Sequence, residues 1–110
     1  MGEKLFDKLN GAVSKYNRKK LDEFDDLINN INTKIESCAS DGYTNFLIQF
    51  TSNDLAKVGS TTRATYVLRC NNATLRKQMY ERLKNYYESQ GLKISNRYND
   101  DYTILISWGD

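Results

Sequence analysis

Residues 92–108 carry apolar side chains at the even-numbered positions Leu92, Ile94, Tyr98, Tyr102, Ile104, Ile106 and Trp108, with Leu105 alone out of phase. A strand turns successive side chains to opposite faces, so a period of two puts each set on one side of a sheet. Asn99-Asp100-Asp101 lies between the two sets. A hairpin through that triplet pairs Tyr98 with Tyr102, Ile94 with Ile106 and Leu92 with Trp108. Its three-residue loop needs a left-handed third position, which Asp101 tolerates better than most residues. Alternation of this kind marks a sheet with one face on a core and the other in water. The remaining chain must supply further strands and the helices that cover the apolar face.

Two more strands are legible. Over Tyr43 to Thr51, Phe46, Ile48 and Phe50 share a face and Leu47 opposes them. Over Arg63 to Cys70, Ala64, Tyr66, Leu68 and Cys70 face one way, and Thr65, Val67 and Arg69 the other. Residues 52–62, SNDLAKVGSTT, read as a long polar connection. Hairpin loops usually take about 2–5 residues, and long loops often carry function.

Three stretches have helical periodicity. Leu5, Leu9, Ala12, Val13 and Tyr16 predict an amphipathic helix over residues 3–16, weakened by Asn10-Gly11 inside it. Leu21, Phe24, Ile28, Ile31, Ile35 and Cys38 then alternate by three and four. That spacing suits packing on the protein's own sheet. It is also the spacing of a coiled-coil seam, which leaves a homo-oligomer through residues 21–38 open. Asp22, Glu23, Asp25 and Asp26 fall near the start of this helix, where negative charge favours the dipole, and Asp41-Gly42 supplies its stop. Asn72 predicts the N-cap of a third helix with Leu75, Met79, Leu83 and Tyr86 on its stripe and Tyr80 and Tyr87 beside it. Gly91 followed by Leu92 fits a Schellman-type end.

The expected fold is therefore α+β and two-layered. Its order is α-α-β-β-α-β-β, with a four-stranded, mainly antiparallel sheet and the helices packed on one face. A chain of 110 residues is expected to be one domain, 1–110, in which residues 1–20 form an N-terminal helix able to move separately.

Composition narrows the chemistry. There is no histidine, so Ser-His and Cys-His nucleophile systems are excluded, along with the commonest general base and metal ligand. Cys38 and Cys70 are too few for a zinc site or a disulfide framework and sit in phase with apolar neighbours, as buried free thiols do. Asp22 and Asp26 are one helical turn apart, but their neighbourhood lacks the glycine and alternate spacing of a calcium loop. No phosphate-binding glycine loop and no nucleophile elbow is present. The chain is expected to be non-enzymatic, with no cofactor and no metal. No apolar run approaches the roughly 18 residues of a membrane span, and the N-terminus lacks the apolar core of a signal peptide. No membrane partner is expected.

The net charge of +2 conceals segregation. Residues 1–20 carry +4, residues 21–42 carry −5, residues 63–98 carry +6 and residues 99–110 carry −3. Such patterning points to surfaces that meet charged partners, or each other. The candidate interaction surface comprises Lys57, Arg69, Arg76, Lys77, Arg82 and Lys84. Tyrosines interleave with the basic residues of 63–98, the composition of a face that binds single-stranded nucleic acid. A solvated basic face has the same composition, and the recognised nucleic-acid motifs are missing.

Residues 28–43, INNINTKIESCASDGY, place an amphipathic helix and a glycine before a strand. Residues 79–108 run helix, Gly91, strand, acidic turn and a last strand closing in ILISW. This succession resembles a group of small proteins of tailed bacteriophages, which share a helix, a G-x-K/V strand and a terminal x-I-x-I-S-W strand. The abundance of Asn, Lys, Tyr and Ile is similar to that of products of AT-rich phage genomes. The resemblance carries no catalytic residue over. It implies a viral origin and a virion-associated structural or accessory component that binds other viral proteins, in the virion or the host cytoplasm. A host-directed inhibitor binding a defence or transcription protein is the alternative. A nucleic-acid-binding accessory protein using residues 63–98 is another.

Overall fold

The computed structural model describes residues 4–52, 58–62, 64–95 and 102–109, with backbone alone at 59–62. The expected turn Asn99-Asp100-Asp101, the pair Tyr98–Tyr102 and Lys57 lie at least partly outside the described residues. The chain divides into two compact units, residues 1–30 and 31–110.

In the first unit, helix α1 spans Leu5–Asp22, and helix α2, Phe24–Ser40, begins. The helix continues through Gly11 and well past Tyr16, and the break falls at Glu23 instead of ahead of Leu21. It is a slight break. The Glu23 N–H donates to the Lys19 carbonyl at 3.2 Å, and the Leu27 N–H donates to the Glu23 carbonyl at 3.0 Å. The i to i−4 ladder therefore crosses the junction. Glu23 has φ −85° and ψ 8°, in the bridge region close to the helical well.

The second unit holds the sheet. The expected strands appear as β1 (Asn45–Thr51), β3 (Thr65–Arg69), β4 (Lys93–Ser95) and β5 (Thr103–Ser107). A fifth, β2 (Gly59–Thr62), forms inside the stretch expected to be a loop, so the order is α-α-β-β-β-α-β-β. The strands lie side by side as β2-β3-β1-β5-β4. Three neighbouring pairs are antiparallel, and β1 and β3 are parallel. The fold class is α+β, and the sheet is mixed with mostly antiparallel pairs. The parallel pair exists because β2 carries the chain back along the outer edge before β3 runs forward.

Register follows the alternation. Ile94 pairs with Ile106, Phe46 with Ile106 and Ile48 with Ile104, and Ile48 with Tyr66 and Phe50 with Leu68. All these residues are even-numbered and occupy one face. Phe46, Ile48, Phe50, Tyr66, Leu68, Ile104 and Ile106 are buried. The opposite face is partly covered too: Val67 and Thr103 are buried and Leu47 and Leu105 half-buried, while Gln49 is exposed.

Helix α3 (Ala73–Ser89) lies over the even face, where Tyr80 meets Phe50 with ring centroids 6.4 Å apart. Its start is fixed by Asn72, whose Oδ1 accepts from the Leu75 N–H at 2.9 Å. Its buried stripe is Leu75, Met79, Leu83 and Tyr87, so Tyr87 and not Tyr86 completes it. Both Schellman stops form. The Gly42 N–H donates to the Ala39 carbonyl and the Tyr43 N–H to the Cys38 carbonyl, with Gly42 at φ 91°. The same pattern links Gly91 to Glu88 and Leu92 to Tyr87, with Gly91 at φ 84°. Ala64, expected inside a strand, instead turns the chain from β2 into β3 with φ 60°. Neither thiol is in a disulfide; Cys70 is buried and Cys38 half-buried.

Candidate functional site: interaction surfaces

The six basic residues singled out in the sequence do not form one patch. Arg69 ends β3 opposite Thr51 of β1 and is half-buried. Arg76 sits in the second turn of α3, half-buried, with its guanidinium 4.3 Å from the ring centroid of Tyr102. Guanidinium and ring in this geometry attract through the ring's negative face. The Arg76 Nε is buried without a hydrogen-bond partner among the described residues. Lys77 is exposed and Lys84 half-buried, both on the flank of α3 that carries Arg76 and Tyr80. Arg82 is exposed but lies six positions from Arg76, about 120° around the helix, on the other flank. Helical phase therefore splits the set: Arg76, Lys77 and Lys84 share a flank with Tyr80, and Arg82 does not.

A second feature lies between α3 and the C-terminal half of α2. The Asn32 Nδ2 donates to the Tyr86 hydroxyl at 3.1 Å, and the Tyr87 hydroxyl donates to Asn32 Oδ1 at 2.9 Å. The two rings meet edge to face, with centroids 4.9 Å apart. One amide thus orients two phenols. Burial, and secondarily the neighbouring Tyr86, push the Tyr87 hydroxyl well above the ordinary tyrosine range. Asn32, Ile35, Glu36, Tyr86, Gln90 and Leu92 help to line a cleft of about 190 Å³ there. Asn32, a polar residue next to Ile31 and three positions before Ile35, is the one sequence signal of this cluster, and the periodicity of the stripe passes over it.

The third feature is on α1. Leu5, Phe6, Leu9 and Val13 are 45–70% exposed. They are four of the six large apolar side chains that the described residues leave in water, with Val58 and Tyr102. At 100° per residue these four, with Ala12 and Tyr16, occupy one arc of α1 roughly 120° wide. Lys4, Lys8, Lys15 and Lys19 follow one border of the arc, while Asn10 and Asn17 lie on the other. Exposed apolar residues scattered singly need no explanation, but a contiguous stripe rimmed by charge marks a contact surface.

Among the described residues, no three or more Cys, Asp or Glu side chains gather where they could hold a metal ion. No described helix is long and apolar enough to cross a membrane. Compared with known protein families, curated proteins and solved structures, the chain matches none.

Proposed function

We propose that the protein works by binding another protein and not by catalysis, as a small virion-associated component of a tailed bacteriophage. The observation that carries the binding reading is the exposed stripe of Leu5, Phe6, Leu9 and Val13 on α1. Leaving that much apolar surface in water costs free energy, and burial against a partner recovers it. The phage setting rests on the helix, Gly91, strand and ILISW succession of residues 79–108. A structural component docks repeatedly through such surfaces. Mass spectrometry of purified particles tests the assignment. The chain is expected among the virion proteins in fixed proportion. Its absence from particles, with retention of one host protein on the purified chain, would replace this reading with the host-directed inhibitor.

A second reading has its own observation, the Arg76–Tyr102 contact, with Lys77 and Lys84 on the same flank of α3. A half-exposed tyrosine beside a basic helix flank offers a base a stacking platform. This reading expects single-stranded nucleic acid to bind with an affinity that falls steeply with salt, through counterion release. Charge reversal at Lys77 and Lys84 should weaken binding. Affinity indifferent to both salt and these substitutions removes the idea.

A further inference from the structure

We propose that α1 pairs antiparallel with the α1–α2 junction of a second copy of this chain. The inference rests on the interaction reading of α1 and supplies its partner. The first observation is a charge-reversed repeat. Lys4, Phe6 and Lys8 recur eighteen residues later as Asp22, Phe24 and Asp26. Eighteen residues are five whole turns of an α-helix, so each member of the second set falls at the same angle as its counterpart. The angles match across one helical rod, which the hydrogen-bond ladder through Glu23 supplies.

The second observation is where these residues sit. Lys4 and Lys8 border the exposed apolar arc of α1, and Asp22 and Asp26 continue the same border one helix-length further on. In an antiparallel pair related by a twofold axis, like borders face each other. With the axis beside Lys15, residues whose numbers sum to about 30 lie opposite one another. Lys4 then meets the partner copy's Asp26, Lys8 meets Asp22, and Phe6 meets the half-buried Phe24, all twice by symmetry. Leu5 and Leu9 are covered between these layers. Along this border, the like-charge meeting in this register is Lys15 with its own copy at the axis. A pair slid to centre on Leu9 would instead set lysine border on lysine border, and the acidic junction would have no role. The paired stretch, residues 4–26, is about 33 Å long.

Charge exchange tests this with the full chain. Sedimentation velocity in about 50 mM salt should show a dimer that shifts toward monomer in about 500 mM, where exposed pairs are screened. K4E/K8E and D22K/D26K should each weaken the dimer roughly tenfold or more, because every pair becomes repulsive. An equimolar mixture of the two variants should form a heterodimer, and the chain carrying all four substitutions should dimerise alone. Leu9→Asp should give monomer. All five positions are exposed, so unchanged circular dichroism and melting are expected. A wild-type chain that stays monomeric at low salt overturns the proposal, and so does a dimer indifferent to the charge exchanges. Monomer that binds anionic phosphatidylglycerol vesicles through Leu9 also overturns it, in favour of a bilayer surface. Should the variants unfold, the salt dependence of the wild-type dimer still decides. Particle mass spectrometry is independent of all these outcomes, so failure here leaves the virion assignment standing or falling separately.

Discussion

Asn32 accepts from the Tyr87 hydroxyl and donates to that of Tyr86, while burial, and secondarily Tyr86, hold the Tyr87 hydroxyl well above the ordinary tyrosine range. The Tyr87 hydroxyl keeps its proton in the folded chain to a pH where an unfolded tyrosine has lost it. Unfolded tyrosine titrates near pH 10. Below that the two states hold the same proton and the stabilisation is complete. Above it the folded state binds more protons, so stability falls as pH rises. Tyr66, raised by burial as well, adds to the same trend. Chemical denaturation from pH 8 to about 11 should show this decline. Tyr87→Phe should cost about 1–2 kcal/mol at neutral pH, through the lost hydrogen bond to Asn32, and should flatten the alkaline slope. Ala64 presents the opposite case. Its φ of 60° lies in the left-handed region, where a side chain is disfavoured and glycine is not. Ala64→Gly should raise stability by about 0.5–1 kcal/mol in a urea titration. A loss would mean that the Ala64 methyl packs well enough to outweigh the strain.

Elements were legible where local chemistry alone decides them. Asn72, Gly42 and Gly91 end or begin helices as their side chains, or lack of one, dictate. The Ile94–Ile106 register follows from even-numbered alternation and nothing further. Asn72→Ala should accordingly cost about 1 kcal/mol, read as a lower melting temperature without loss of the fold. The misread elements depend on distant partners. GSTT has no apolar alternation of its own and becomes β2 because β3 offers it an edge. The choice of Tyr87 over Tyr86 turns on which ring the rest of the fold buries, since both spacings fit the stripe. Glu23 interrupts the helix two residues past where Leu21 opens the new stripe, since an amphipathic pattern reports which side is apolar and not where the helix is interrupted. At the candidate site, the basic residues were legible as a set but not as a surface. Helical phase puts Arg82 on the far flank of α3, and the contact of Arg76 with Tyr102 joins residues that no local spacing relates.

For the whole molecule, the strand order matters more than the strand count. β5 lies between β1 and β4, and Trp108 fastens its end by donating from its backbone N–H to the Thr44 carbonyl and from its indole to the Tyr43 carbonyl, each at 3.0 Å. Ile104 and Ile106 are wholly buried there, at roughly 1.5–3 kcal/mol each. Deleting residues 103–110 should therefore abolish cooperative melting, and a soluble product with a sharp thermal transition would contradict this placement. The same arrangement sets a timetable for synthesis. While residues up to 95 emerge from a ribosome, β1 can pair with β3 on one side, but its other edge stays open and β4 has no neighbour. Open edges recruit other strands. A nascent chain of this protein is thus exposed to misassembly until β5 clears the exit tunnel and slides between two strands that have been waiting for it.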